Sequence, residues 1–149
     1  NIFVILHVEY VIELAARITS GVEKEITFTI VLLRAWRFWP DEFIVSKRIS
    51  KVIKYDNLRE QYRALSYDGA TRIEQYFSDY NSVKDWIFAV NNVNLANVKE
   101  LELSSYYIRI VVESKSLEQL PLIGFLIHFI PEVEMSLAKE SPPFIIGEN

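Results

Sequence analysis

The chain has no cysteine, and that single absence removes a disulfide framework, a thiolate zinc site, an iron–sulfur cluster and a cysteine nucleophile. Histidine is nearly absent too: His7 and His128 each stand among apolar neighbours with no carboxylate at ligand spacing, so both read as core or boundary histidines rather than metal ligands or general bases. Only Gly21, Gly69, Gly124 and Gly147 are glycines, too scattered to cradle a phosphate, and no serine sits in a GxSxG elbow. A basic excess is missing as well. Sixteen Lys and Arg face 20 Asp and Glu, for a net charge of −4, and the two signs are interspersed, which is not the footprint of a nucleic-acid binder. The longest apolar run after the N-terminus, LIGFLIHFI, holds nine residues with its histidine included, whereas a membrane-spanning helix takes about 20. The first residue is Asn1 rather than methionine, which is compatible with a leader or anchor removed upstream.

What remains is the inventory of one globular domain over residues 1–149, half of it hydrophobic and large enough to bury a core. Neither a repeat nor a linker interrupts it. IFVILHV at 2–8 reads as a strand, and Val11, Leu14, Ala15 and Ile18 then fall on one stripe of a short helix closed by Gly21. From Glu25 to Trp39 the period changes to two, with Ile26, Phe28, Ile30 and Leu32 on one face, so one long strand is expected up to the turn at Pro40-Asp41. A second long strand runs from Phe43 to Tyr55, with Phe43, Val45, Ile49, Ile53 and Tyr55 on one face. EQYRALSY and TRIEQYF flank Asp68-Gly69 as a shorter hairpin. SDYNSVKDWIFAVNN is expected to be an amphipathic helix over about 79–91 with Ser78 as its N-cap, VNLANVKELELSS a connector, SYYIRIVVESKS a strand, and SPPFIIGEN a sheet-edge segment.

The fold class that follows is α+β and β-dominated: antiparallel sheets built from long hairpins, sandwich-like or strongly curved, with two or three short helices. The carboxylate pairs offer no chemistry, since Asp79 and Asp85 lie six apart on a helix and Glu100 and Glu102 lie on a connector. No catalytic residue, metal or cofactor is expected.

Three places remain for a partner. RAWRFWPDEF crowds Trp36, Phe38 and Trp39 with Arg34 and Arg37, but Trp36 and Trp39 differ in parity and cannot share a face. These residues therefore read as two faces of a strand, core aromatics closing the hairpin with arginine stems over them, and Arg37 and Trp39 are the residues placed to touch a partner there. LPLIGFLIHFIP is too apolar for a surface loop, so it is expected to pack on the sheet, to cover the mouth of a cavity, or to meet a partner or membrane; packing is the first expectation, and in the second case Phe125 and His128 are candidates for the lid of an apolar pocket. IFVILHV carries no charge before Glu9 and no proline. If it lies at a sheet edge, Val4 and Leu6 would belong to a strand open to pairing with another protein or a second copy of the chain.

The order of ITSG closing a helix, EITFTIVLLR, IKYDNLREQY, a DWIF-containing helix, YYIRIVVESK and then LPL resembles the uncharacterised bacterial proteins catalogued as domain of unknown function 4390, from about Val11 to the C-terminus. Gly21 before the long strand and Tyr55-Asp56-x-Leu58 with Tyr62 are its most specific pieces. The resemblance implies an exported, periplasmic or otherwise extracytoplasmic protein with an N-terminal signal or anchor, and it brings no activity and no functional residue. The resulting expectation is a non-enzymatic module that binds or assembles with another protein at the cell envelope. A carrier of an apolar ligand is the alternative, and an enzyme without a recognisable site is the least supported reading.

Overall fold

A computed structural model describes residues 2–7, 23–117 and 132–146. In chain order the elements are β1 (Ile2–His7), β2 (Glu23–Ala35), β3 (Glu42–Asp56), β4 (Gln61–Tyr67), β5 (Arg72–Phe77), α1 (Tyr80–Phe88), β6 (Ala89–Ala96), a 3-10 turn (Val98–Glu100), β7 (Ser104–Leu117), β8 (Glu132–Glu140) and β9 (Phe144–Ile146). The protein is β-dominated α+β, with an antiparallel sheet in the order β5-β4-β3-β2-β7-β8 and β9 also paired to β7; β1 and β6 form a separate antiparallel pair. The helix expected near 10–20 and the segment LIGFLIHFI lie outside the described residues.

The period-two pattern of β2 is what organises the sheet. Ile26, Phe28, Ile30 and Leu32 are buried on one face, and their ladder partners put Ile49 of β3 and Val112 of β7 on that same face. Ile53 and the β4 residues Tyr62 and Ala64 extend the buried face toward β5. Val83 and Ile87 of α1, with Val90 and Leu95 of β6, close over it to complete one core.

Both strands of the long hairpin were legible, but their end was not. β2 stops at Ala35 rather than running to Trp39. A bulge precedes that end, since Leu32 pairs with Val45 and Leu33 with Phe43 and Ile44 is the extra residue; pairing resumes through Arg34 and Glu42, and the strand stops where the backbone N–H of Trp36 goes to the Asp41 carboxylate at 3.3 Å rather than into the ladder. The shorter hairpin turns at Asp68-Gly69 as its sequence requires. Gly69 has φ +97, and the Asp68 carboxylate accepts from the N–H groups of Ala70 at 2.9 Å and Thr71 at 2.7 Å.

α1 is shorter than 79–91, and its N-cap is Asp79 rather than Ser78. The Asp79 Oδ1 accepts from the Ser82 N–H at 2.8 Å and Oδ2 from the Ser82 hydroxyl at 2.8 Å, and these bonds hold its carboxyl below the usual carboxylate range. Asp79→Ala is expected to cost about 1 kcal/mol in urea unfolding, and an unchanged midpoint would mean that this carboxylate does not hold the helix end. Residues 89–96, expected to finish the helix and enter a connector, form β6 instead, because β1 supplies them with a ladder partner. The described part of SPPFIIGEN, Ser141 to Ile146, does lie at a sheet edge. β8 and β9 pair in succession with β7, joined through Ser141, whose N–H donates to the Ile108 carbonyl at 2.8 Å while its hydroxyl accepts from the Ile108 N–H at 2.9 Å. Pro142 and Pro143, which cannot donate to a ladder, fall between the two edge strands.

Candidate functional site

The end of the sheet where β2 stops, β3 starts, β7 starts and β9 pairs is tied together by charge. The Arg34 guanidinium lies 3.9 Å from the Trp36 ring centroid and donates to Glu102 Oε2 at 2.7 Å. The Trp36 indole N–H donates to Glu42 Oε2 at 3.1 Å. Asp41 then bridges two strands, accepting from the Trp36 N–H and, through its other oxygen, from the Tyr107 hydroxyl at 2.7 Å. That bond is the main reason the Tyr107 hydroxyl titrates above its ordinary range.

Beyond this clamp the rings are not core. Phe38 is 85% exposed, Trp39 74% and Trp36 39%, which overturns the expectation that these three aromatics close the hairpin from inside, and Phe43 is exposed beside them. The rings leave the sheet because β2 has ended at Ala35, with the Trp36 N–H turned to the Asp41 carboxylate, so strand parity no longer directs them. The arginine half of that expectation holds, since Arg34 lies over Trp36 and the Arg37 guanidinium is 5.7 Å from the Phe38 ring centroid. Phe43 pairs with Leu33, and Ile145 of β9 pairs with Ser105, itself opposite Ala35, so both stand on the outer face of this sheet end. Ile145 is 80% exposed.

The other candidates separate from this one. Val4 and Leu6 lie on β1, opposite Val93 and Val90 of β6, and in a two-stranded sheet β1 has a second edge with no strand against it among the described residues. Phe125 and His128 lie outside the described residues. Thus Arg37 and Trp39 share one surface, and Val4 and Leu6 a different one.

Sequence reasoning passed over Lys51. It lies on the apolar face of β3, is only 5% exposed, and donates from Nζ to the carbonyls of Trp86 and, at 2.7 Å, Ala89, at the C-terminal end of α1. The Trp86 ring centroid is 4.9 Å from Nζ. Burial without a carboxylate partner lowers its pKa from 10.5 to about 8. The available signal was a lysine at an odd, core-facing position between Ile49 and Ile53. Lys51 forms part of the wall of an open cleft of about 600 Å³ between β3–β5 and the α1–β6 layer. Among the described residues there is no group of three or more His, Asp or Glu placed to hold a metal, and no helix long and apolar enough to cross a membrane.

An antiparallel, β-dominated α+β domain, with an aromatic sheet end and a cleft under its single described α-helix, is the class these observations define. The chain belongs to the family described as Domain of unknown function (DUF4390), whose model matches residues 2–130. No curated protein and no solved structure matches it. The match takes in β1 and stops short of β8 and β9, where the sequence resemblance had begun near Val11 and reached the C-terminus. The Tyr55-Asp56-x-Leu58 and Tyr62 pattern is a turn. Asp56 Oδ1 accepts from the N–H groups of Leu58 at 2.9 Å and Arg59 at 3.2 Å, and the paired Tyr55 and Tyr62 rings meet at 4.8 Å between centroids.

Proposed function

We propose that the chain is a non-enzymatic binding or assembly module that engages another protein through the tip of the β2–β3 hairpin. The observation that carries the reading is the exposure of Phe38 and Trp39 beyond a clamped sheet end. Large rigid aromatics are enriched at interface hot spots because they bury much area at little entropic cost, and arginine is enriched beside them for its planar fork of donors. Here Arg37, Phe38 and Trp39 sit in the short loop between strands of 13 and 15 residues, and bonds from Trp36 to Asp41 and Glu42 and from Tyr107 to Asp41 tie the loop's ends to the sheet, so part of the ordering needed to seat them in a partner's apolar pocket is already in place. The cell-envelope setting is part of the proposal and rests on the likeness to exported proteins.

The test is a double variant, Phe38→Ser with Trp39→Ser. It is expected to keep the wild-type melting temperature, since both rings are outside the core, and to lose a partner that wild type retains on co-purification from the native host. A complex undiminished by the double variant would overturn the reading. Loss of co-sedimentation with anionic lipid vesicles, with the protein complex intact, would reassign the tip to a membrane surface.

A further inference from the structure

From the cleft under α1 we infer a second binding site, independent of the hairpin tip, that takes a singly charged amphipathic anion: a carboxylate on an apolar tail, held by Lys51. The cleft volume of about 600 Å³ lies within the usual range for small-molecule sites. Ile49, Ile73, Trp86, Val90 and Val93 supply apolar wall on both the sheet side and the helix side. Such a wall suits a hydrocarbon or aromatic tail better than a polar metabolite.

The polar end of the site is Lys51. An ammonium has three N–H donors, and two of these go to the Trp86 and Ala89 carbonyls. Among the described residues the third has no protein acceptor and no carboxylate pairs with this lysine. Burying a charge without a counter-ion is costly unless something supplies the missing charge, and a ligand carboxylate would do so. The rim points the same way. Lys47 and Arg48 add two positive charges to that of Lys51, against only Asp68 among the lining residues, and the Asp68 carboxylate is already engaged by the Ala70 and Thr71 N–H groups.

The helix orientation sets how much charge the site accepts. The end of α1 that meets Lys51 is its carbonyl end, which carries partial negative charge and already offsets part of the ammonium. A phosphate dianion would meet that repulsion twice over, with no backbone N–H cradle described at the site to relieve it. One carboxylate is the better match.

Calorimetric titration at neutral pH with decanoate, decanol and decyltrimethylammonium tests the site. Decanoate is expected to bind at least about tenfold more tightly than decanol, with no measurable binding of the cation. Lys51→Met is expected to remove the preference for decanoate over decanol. Since Lys51 also holds the end of α1, Ile73→Asp provides a second arm: Ile73 is 48% exposed, so this variant should fold and melt as wild type while losing decanoate. Equal affinity for decanoate and decanol, no binding up to about 1 mM, or undiminished binding by a folded Ile73→Asp would each overturn the inference. A vanished hairpin-tip complex with decanoate binding intact would leave this site standing, because the two surfaces share no residue.

Discussion

Phe28→Ala is expected to lose about 3–5 kcal/mol of unfolding free energy in urea, the range for emptying a well-packed aromatic site. Phe28 has no exposed surface and stands mid-sheet, opposite Ile49 on β3 and Val112 on β7, with Ile26 and Ile30 one pleat away on either side along β2. Its neighbours are held by ladders on both edges of β2, so they cannot collapse into the space that the ring leaves. The Lys51 ammonium lies 5.7 Å from the ring centroid, and truncation also removes that favourable contact. Thr29→Ala, one residue along and on the opposite face, is the control and should cost less than about 1 kcal/mol. A comparably small loss for Phe28→Ala would mean that the even positions of β2 are not the buried face.

The same periodicity explains what could be read in advance. Ile26, Phe28, Ile30 and Leu32 announce their face because every second residue is apolar, and Asp68-Gly69 announces its turn because only a short list of residues satisfies that backbone. Apart from the N-cap, one residue off at Asp79, the failures are nonlocal. AVNNVNLA reads as a helix end and a connector because of its asparagines, and becomes a strand only because β1, more than 80 residues earlier, lies alongside it. Alternation continues through Trp36 and Phe38, yet pairing stops after Arg34 and Glu42, where the Asp41 carboxylate takes the Trp36 N–H, and the rings beyond are exposed. Lys51 was missed for a similar reason. Its partners, the Trp86 and Ala89 carbonyls, are 35 and 38 residues away, and the one local mark, its place on the apolar face between Ile49 and Ile53, does not reveal acceptors that are backbone atoms of a distant helix.

That lysine gives the protein a distinctive alkaline profile. In the unfolded chain Lys51 titrates near its ordinary 10.5, while burial holds it at about 8 in the folded protein. Below pH 8 the ammonium is charged in both states, and stability does not vary with pH on its account. Between pH 8 and 10.5 the unfolded chain binds a proton that the folded protein has released, so stability rises with pH across this window and levels off above it. The full interval is worth about 3 kcal/mol. Loss of the charge does not undo the helix end, because a neutral amine still has two N–H groups for the Trp86 and Ala89 carbonyls. Tyr62 and Tyr80 work in the opposite sense: burial raises both hydroxyls, so above about pH 10 the unfolded chain ionises first and stability falls. Tyr107 is raised as well, and these hydroxyls begin to ionise in the unfolded chain before pH 10, so urea unfolding at steps from pH 7.5 to pH 9 isolates the lysine, with an expected gain of about 1 kcal/mol. Lys51→Met should have a flat profile over the same range. A flat wild-type profile, or a rise that survives in Lys51→Met, would show that the ammonium is not buried in this fold.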